Sequence, residues 1–240
     1  MVYASVDELL ARERPFFDYL QRWYRTLPAL DHATDVKDPA LAAIVAVDVT
    51  IGFCYRGNLA SPRVATIVDP IVALFQCLHS AGVRQFLLLQ DTHSPETPEF
   101  QTWPPHAVEG TEESQTVPEL LALPFAKEYT LVPKNSLMPN IASRFDEWLG
   151  ERAQVRDFFV VGDCTDLCVY LLAMYLRAHA NAFDLAGRRV IVPANCVQTY
   201  DLPVDAAAKA GAFPHPGDFL HLLFLYHMAL SGCLVVREVA

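Results

Sequence analysis

Val161-Gly162-Asp163-Cys164-Thr165-Asp166-Leu167-Cys168-Val169 is the stretch of sequence that decides the fold. The residues at 158–161 form a short apolar run, which is typical of a buried strand. This run stops at Gly162, and residues 167–180 then show the apolar spacing that predicts a helix. The stretch is therefore a strand-to-helix turn, which is the repeating unit of α/β proteins.

Two thiols lie in this turn, and the predicted helix start favours one of them. If Thr165 is the N-cap, Cys168 is the third helical residue and lies among free backbone N–H groups at the positive end of the helix dipole. Such a position lowers the pKa of a thiol and favours the nucleophilic thiolate. We therefore expect Cys168 to be the nucleophile, with Cys164 as its competitor.

Composition and charge narrow the class of protein. The chain has 240 residues, of which 52% are apolar, and a formal net charge of −10. This length suits one large α/β domain, and the negative charge argues against nucleic acids and anionic membranes as partners. We see no signal-peptide pattern and no apolar run of the roughly 18 residues needed to span a bilayer. The six cysteines are scattered through a chain too large to need disulfides, which favours a reduced, cytoplasmic protein.

Apolar strand-like runs alternate with helical patterns along most of the chain. Such alternation predicts right-handed βαβ units and a mostly parallel sheet with helices on both faces. We expect a single three-layer α/β/α domain with a six-stranded, Rossmann-like sheet at residues 39–240, preceded by a helical extension at residues 1–38. The predicted strands are residues 42–47, 86–89, 129–132, 158–161, 190–192 and 234–236, and the predicted helices are residues 6–24, 61–81, 167–180 and 219–230.

Reactive side chains follow several of the predicted strands, at the edge of the sheet where α/β proteins bind their ligands. Asp48 follows the first strand and Lys134 follows the third, while Cys168 lies in the turn after the fourth. A carboxylate beside a thiol can accept its proton, and an ammonium group stabilises a thiolate and anionic intermediates. Taken singly, Asp48 also fits a turn acid and Lys134 a surface lysine. Together with Cys168 they predict a catalytic group.

A long segment at residues 91–118 follows the second predicted strand and is rich in Pro, Thr, Glu and His. Loops of this length inside a compact domain are usually functional. Asp91 and His93 are two residues apart and project from the same side of an extended chain, and His106 ends a proline-stiffened stretch. Two histidines and a carboxylate suit a catalytic Zn²⁺, Fe²⁺ or Mn²⁺ ion. The alternative is that these are solvated loop histidines.

In these residues the chain resembles the nicotinamidase branch of the isochorismatase-like cysteine hydrolases, over residues 42–236. The motifs follow the family's order, and it is their combination that is specific. They are Val45-Ala46-Val47-Asp48, Asp91-x-His93, Pro104-Pro105-His106, Glu109-Gly110-Thr111, Lys134, and Gly162-x-x-Thr165-Asp166-x-Cys168-Val169.

The resemblance implies a role for each of these residues. It implies a triad of acid, lysine and nucleophilic cysteine, and an oxyanion hole formed by two backbone N–H groups beside a non-proline cis peptide. It also implies one divalent metal ion (Zn, or Fe or Mn) and two aromatic rings around a flat heteroaromatic substrate. The triad falls on Asp48, Lys134 and Cys168. The oxyanion hole falls on Cys164 and Cys168, with the cis peptide at Asp163–Cys164. The metal falls on Asp91, His93 and His106, with Glu99 binding directly or through water, and the rings fall on Phe53 and Trp103.

The implied activity is that of a metal-assisted cysteine amidohydrolase. Its small-molecule substrate would be nicotinamide, which it would convert to nicotinate and ammonia through a Cys168 thioester. One alternative is another hydrolase of the family, either an amidase for carbamoyl or ureido compounds or a vinyl-ether hydrolase of the isochorismatase type. A second alternative is a non-catalytic redox or binding protein that uses Cys164 and Cys168 as a thiol pair.

The chain also departs from the family pattern. The usual Asp-x-Gln-Asn-Asp-Phe opening is replaced by Asp48-Val49-Thr50-Ile51-Gly52-Phe53, Cys164 stands where Ala is common, and Ala107 stands where Cys is common. The apolar helix at 219–230 and the N-terminal helix either complete the core or form the interface of a homo-oligomer; the sequence leaves both open. For His221 and His227, six residues apart, we expect packing or surface roles.

Overall fold

The computed structural model describes residues 5–240, so the first four residues of the predicted extension lie outside the described residues. The described chain contains a seven-stranded sheet in the order β3-β2-β1-β4-β5-β7, with β6 paired to β4, and every strand pair is parallel. The strands are β1 (Ala42–Val47), β2 (Gln85–Asp91), β3 (Tyr129–Lys134), β4 (Asp157–Asp163), β5 (Arg189–Pro193), β6 (Val197–Gln198) and β7 (Leu234–Val236).

Helices cover both faces of this sheet, which confirms the predicted three-layer α/β/α class. The sheet has one strand more than predicted, because β6 is only two residues long and has no periodicity of its own. The α-helices are α1 (Val6–Arg25), α2 (His32–Asp35), α3 (Ile51–Cys54), α4 (Pro62–Ala65), α5 (Val68–Ser80), α6 (Pro118–Leu121), α7 (Phe145–Glu151), α8 (Cys168–Ala182), α9 (Val204–Ala210) and α10 (Gly217–Leu230). Short 3₁₀ turns lie at Pro39–Leu41, Pro98–Gln101, Glu112–Ser114, Ala126–Glu128 and Ala194–Cys196.

The core consists of two apolar layers, one on each face of the sheet. Strand β1 is buried on both sides, so Val45 points toward α8 and α10 while Ile44 points toward α5. This explains why the strand is a continuous apolar run rather than an alternating one. No helix within residues 5–240 has both the length and the apolar character needed to cross a bilayer.

Three local predictions need correction. The single helix predicted at 61–81 is two helices, α4 and α5, separated by a break at Thr66 and Ile67. Helices α2, α3, α6, α7 and α9 were not predicted, since none of them is longer than seven residues. Helix α8 begins at Cys168 with Leu167 as its N-cap, so Thr165 is not the cap.

The two histidines of α10 have the packing and surface positions expected for them: His221 is buried and His227 is exposed. His221 Nδ1 lies 2.8 Å from Thr165 Oγ1. His227 Nδ1 lies 3.0 Å from the Tyr170 hydroxyl. Both contacts join α10 to the region of α8. The division of the chain at residue 38 remains a prediction.

Candidate active site

The carboxyl ends of β1, β2 and β3 and the start of α8 bring one lysine, two carboxylates and one thiol together. Lys134 Nζ lies 2.8 Å from Asp48 Oδ2, 2.5 Å from Asp91 Oδ1 and 3.5 Å from Cys168 Sγ. All four side chains are buried. The structure therefore brings Asp48, Lys134 and Cys168 together, as the strand-end pattern predicts.

The backbone around Asp48 explains how this close grouping forms. Asp48 has a left-handed φ of 56°, and its Oδ1 accepts a hydrogen bond of 2.7 Å from the backbone N–H of Asp91. On the other side of β1, Gly162 has a φ of 118°, and a Cβ at this position would overlap the carbonyl oxygen of Val47. Glycine is thus required where β4 passes closest to β1.

Burial sets the protonation states of this group. It raises the pKa of Asp48 to about 6, assisted by the nearby negative charge of Asp91 and opposed by Lys134. Burial also raises the pKa of the Cys168 thiol well above its ordinary value, although Lys134 opposes this shift. Burial and the helix terminus thus act in opposite directions on the pKa of the Cys168 thiol, and Asp48 is the neighbouring carboxylate that can accept its proton.

The turn before α8 leaves two backbone donors free. Because Cys168 is the first residue of α8 rather than the third, its N–H has no partner within the helix. Within residues 5–240, neither Cys164 nor Cys168 donates its backbone N–H to an acceptor. The Asp163–Cys164 peptide is cis, as the resemblance implies. An oxyanion hole remains the predicted role of these two N–H groups.

Asp91, His93 and His106 form a group whose ligand atoms lie within 4.8 Å of one another. His93 Nδ1 lies 3.0 Å from Asn135 Oδ1, and His106 Nδ1 lies 2.8 Å from Pro104 O. Each Nδ1 thus faces an oxygen acceptor and each Nε2 is left as the ligand atom, which is the arrangement that histidine ligands show in metal sites.

The donor atoms of this group fit a divalent transition metal. His93 Nε2 is buried and forms no hydrogen bond with any described residue, and the Asp91 Oδ2 atom is 3.4 Å away. Two imidazole nitrogens and one carboxylate oxygen suit Zn²⁺ or Fe²⁺. Glu99 Oε1 lies 3.9 Å from His93 Nε2 but outside the three-residue group. Its direct or water-mediated role remains a prediction.

A cavity of about 290 Å³ opens onto these residues. Phe53 and Trp103 line it, as does Cys168, so the two predicted aromatic rings and this thiol share one cavity. The Phe53 ring lies 5.6 Å from the ring of His106, and the Trp103 ring lies 6.2 Å from the ring of Tyr200. A cavity of this size suits a small molecule.

Three residues of the site were not found from the sequence. Asn135 directly follows Lys134, so the strand-end pattern contained the signal for it. Tyr200 lines the cavity because β6 pairs with β4, and a two-residue strand gives no detectable pattern. Asp163 is the last residue of β4 and was noted only for its peptide bond.

Comparison with known proteins gives consistent matches. The family model for the isochorismatase domain matches residues 42–217. A curated relative, Nicotinamidase 1 from Arabidopsis thaliana, is 32% identical over 214 residues, which cover 82% of this chain and 86% of the relative. Fold and domain together define an α/β protein of the hydrolase class. Within that class, the chain belongs to the isochorismatase family.

Solved structures share this fold. The nicotinamidase of Bacillus subtilis matches with a TM-score of 0.62 and 24% identity over 81% of this chain and 98% of that one. N-carbamoylsarcosine amidase from Thermoplasma acidophilum matches with a TM-score of 0.59 and 21% identity over 82% and 95%. A pyrazinamidase of Pyrococcus horikoshii, solved in complex with zinc, matches with a TM-score of 0.60 and 17% identity over 82% and 98%.

Proposed function

We propose that this protein is a metal-assisted cysteine amidohydrolase and that its substrate is nicotinamide. The observation that carries the proposal is the buried contact of Lys134 with both Asp48 and Cys168, directly beside a group of metal-ligand type. The 32% identical nicotinamidase supports the choice of substrate. Phe53 and Trp103 would hold the pyridine ring.

The first half-reaction forms a thioester. Asp48 accepts the proton of the Cys168 thiol, and the sulfur attacks the amide carbon. Lys134, 3.5 Å from the sulfur, stabilises the developing negative charge. The free N–H groups of Cys164 and Cys168 would bind the oxyanion. Asp48 then returns the proton to the departing ammonia.

The second half-reaction releases nicotinate. Asp48, again a carboxylate, takes a proton from a water molecule that attacks the thioester, and the thiol of Cys168 is regenerated. A divalent ion held by Asp91, His93 and His106, with Glu99 nearby, would supply Lewis-acid chemistry and lower the pKa of water. Asn135 and the carbonyl of Pro104 keep the two imidazoles oriented for that ion.

The charges around the cavity favour a neutral amide over the other substrates of the family. Its lining includes five carboxyl groups and, among the residues that the structure describes, no lysine or arginine side chain. Isochorismate and N-carbamoyl amino acids carry carboxylates, for which the described residues of this lining offer no lysine or arginine side chain as an ion-pair partner. The carboxyl groups that line the cavity are those of Asp48, Asp91, Glu99, Asp163 and Asp201.

The test is ammonia release from nicotinamide by zinc-loaded protein. We expect turnover by the wild type, no detectable turnover by Cys168→Ala, and full turnover by Cys233→Ala, a buried cysteine that does not line the cavity. Undiminished turnover by Cys168→Ala would refute the mechanism. Turnover of N-carbamoylsarcosine or isochorismate in place of nicotinamide would refute the substrate.

A further inference from the structure

Asp163 is a buried carboxyl group in the cavity wall that the reaction above does not use. It is the last residue of β4 and is only 1% exposed. Its Oδ2 accepts a weak hydrogen bond of 3.5 Å from the Cys164 thiol. Its Oδ1 has no hydrogen-bond partner among residues 5–240. A buried polar atom left without a partner costs free energy unless a ligand satisfies it.

The surroundings of Asp163 favour the neutral form of its carboxyl group. No described lysine, arginine or histidine forms an ion pair with it. Burial, followed by the negative charge of Asp48, raises the pKa of Asp163 well above its usual range. A protonated carboxyl group still offers a carbonyl oxygen as a hydrogen-bond acceptor.

The position of Asp163 places it beside the reacting atoms. Gly162 pairs with Val47 across the β1–β4 ladder; the next residue on β4 is Asp163, its last, and the next residue after β1 is Asp48. The residue after Asp163 is Cys164, whose N–H is a proposed oxyanion donor. Cys168 lines the same cavity. Asp163 and Cys168 therefore line one cavity, and Asp163 is joined directly to the residue whose N–H is a proposed oxyanion donor.

A primary carboxamide has one carbonyl oxygen and two N–H donors. In the proposed mechanism, the backbone N–H groups bind the oxygen and Asp48 faces the leaving nitrogen, so one N–H still lacks an acceptor. We propose that Asp163 accepts a hydrogen bond from the amide nitrogen of the substrate and so selects primary amides. This inference rests on the proposed amidase activity and assigns the side chain that recognises the leaving group.

The experiment compares an amide with the matching ester, which has no N–H to donate. kcat/KM is measured for nicotinamide and methyl nicotinate with zinc-loaded wild type, Asp163→Asn and Asp163→Leu. One lost hydrogen bond corresponds to about a tenfold change. We expect Asp163→Leu to lose about tenfold on nicotinamide and less than about twofold on the ester. Asp163→Asn, which keeps an acceptor oxygen, should stay within about threefold of the wild type on both.

Ester turnover serves as the internal control for folding. The inference would be overturned if Asp163→Leu lost equal kcat/KM on the amide and on the ester. It would also be overturned if Asp163→Asn lost as much kcat/KM on the amide as Asp163→Leu. If Asp163→Leu does not fold, Asp163→Ala, which also lacks an acceptor, takes its place in the same comparison with the Asn variant. A wild type that hydrolyses another primary amide but not nicotinamide refutes the proposed substrate alone, and the comparison is then made with that amide and its methyl ester. A wild type that hydrolyses no amide refutes both proposals.

Discussion

Lys134 is the residue on which both the stability and the chemistry of the site depend. Its ammonium group lies between the carboxylates of Asp48 and Asp91 with no exposure to solvent. Replacing it with Met leaves two buried carboxylates without a cation, and removing one partner of a buried ion pair typically costs about 3–5 kcal/mol. Without the cation, the pKa of Asp48 would rise further, and Asp48 would no longer accept the thiol proton at neutral pH.

We therefore expect Lys134→Met to lower kcat at least about 100-fold and the free energy of unfolding by about 3 kcal/mol. Steady-state ammonia release and urea denaturation measure the two effects. The control is Lys127→Met, because Lys127 is exposed and lies outside the cavity lining. A Lys134→Met variant with near-normal kcat would exclude the lysine from the reaction.

Asn135 provides a test of the metal group that does not depend on turnover. Its Oδ1 lies 3.0 Å from His93 Nδ1 and also accepts a hydrogen bond from the N–H of Ser94. Loss of such an orienting contact typically weakens metal binding about 10–100-fold. We expect this loss of zinc affinity in Asn135→Ala, measured by competition with a chromophoric chelator. Asn181→Ala, an exposed substitution near the end of α8, should bind zinc like the wild type.

At the scale of single residues, the candidate site residues that the sequence predicted are those that follow strands. Asp48 and Lys134 were found because parallel strands bring their carboxyl ends to one edge of the sheet. The effect of burial on the pKa of the Cys168 thiol was not predicted, because burial is a tertiary property. Asp163 was not predicted as a cavity residue for a similar reason. Its burial and its lack of a hydrogen-bond partner for Oδ1 depend on the folded structure.

At the scale of elements, the β4–α8 turn shows how a tertiary contact overrides a local rule. The capping rule selects Thr165, whose hydroxyl is well placed in sequence to cap a helix. In the structure, this hydroxyl instead pairs with His221 Nδ1 at 2.8 Å and joins the turn to α10. Short elements such as β6 and α9 were missed because two or seven residues give too little periodicity.

The buried His221 predicts a pH dependence of stability. Burial, together with the positive charge of Arg63, lowers the pKa of His221 to about 4. In the unfolded chain its pKa is about 6.5. As the pH falls below about 6.5, the unfolded chain binds a proton that the folded protein binds only near pH 4. The contribution of His221 to stability is therefore complete above pH 6.5 and is lost as the pH falls toward 4.

A shift of this size corresponds to about 3 kcal/mol at most. We expect the free energy of unfolding to fall by up to that amount between about pH 6.5 and pH 4, as measured by urea denaturation at a series of pH values. The control is His221→Gln, which cannot titrate and should show a flatter profile over the same range. Identical profiles for the two proteins would contradict the role assigned to His221.

At the scale of the whole molecule, the position of the site follows from the strand order. The order β3-β2-β1-β4-β5 reverses direction between β1 and β4, and such a reversal opens a crevice at the carboxyl edge. Asp48 directly follows β1 and Asp163 is the last residue of β4, and the turn that leads to Cys168 follows β4. The fold class was predictable from the alternation of strands and helices. The position of the crevice was not predictable in the same way, because it depends on the order of the strands in the sheet, which the sequence pattern does not show.

Helix α1 belongs to the outer surface of this architecture and packs on α10. The Trp23 and Tyr226 rings lie 5.5 Å apart with their planes at 83°, and the Phe17 and Phe219 rings lie 5.9 Å apart at 61°. Edge-to-face aromatic pairs contribute about 0.5–1.5 kcal/mol beyond their burial. No residue of α1 lines the cavity. The helix is thus placed to stabilise α10 without touching the substrate.

A double-mutant cycle on Trp23→Ala and Tyr226→Ala tests this division of roles. We expect each single variant to lower the free energy of unfolding and the pair to show a coupling of about 1 kcal/mol, because the two rings meet edge to face. kcat/KM should stay within about twofold of the wild type, because neither Trp23 nor Tyr226 lines the cavity. Gln21→Ala, an exposed position on the same helix, should change neither quantity. Loss of activity at unchanged stability in Trp23→Ala would mean that α1 acts on the site itself. The boundary predicted at residue 38 would then not separate an accessory helix from the catalytic domain.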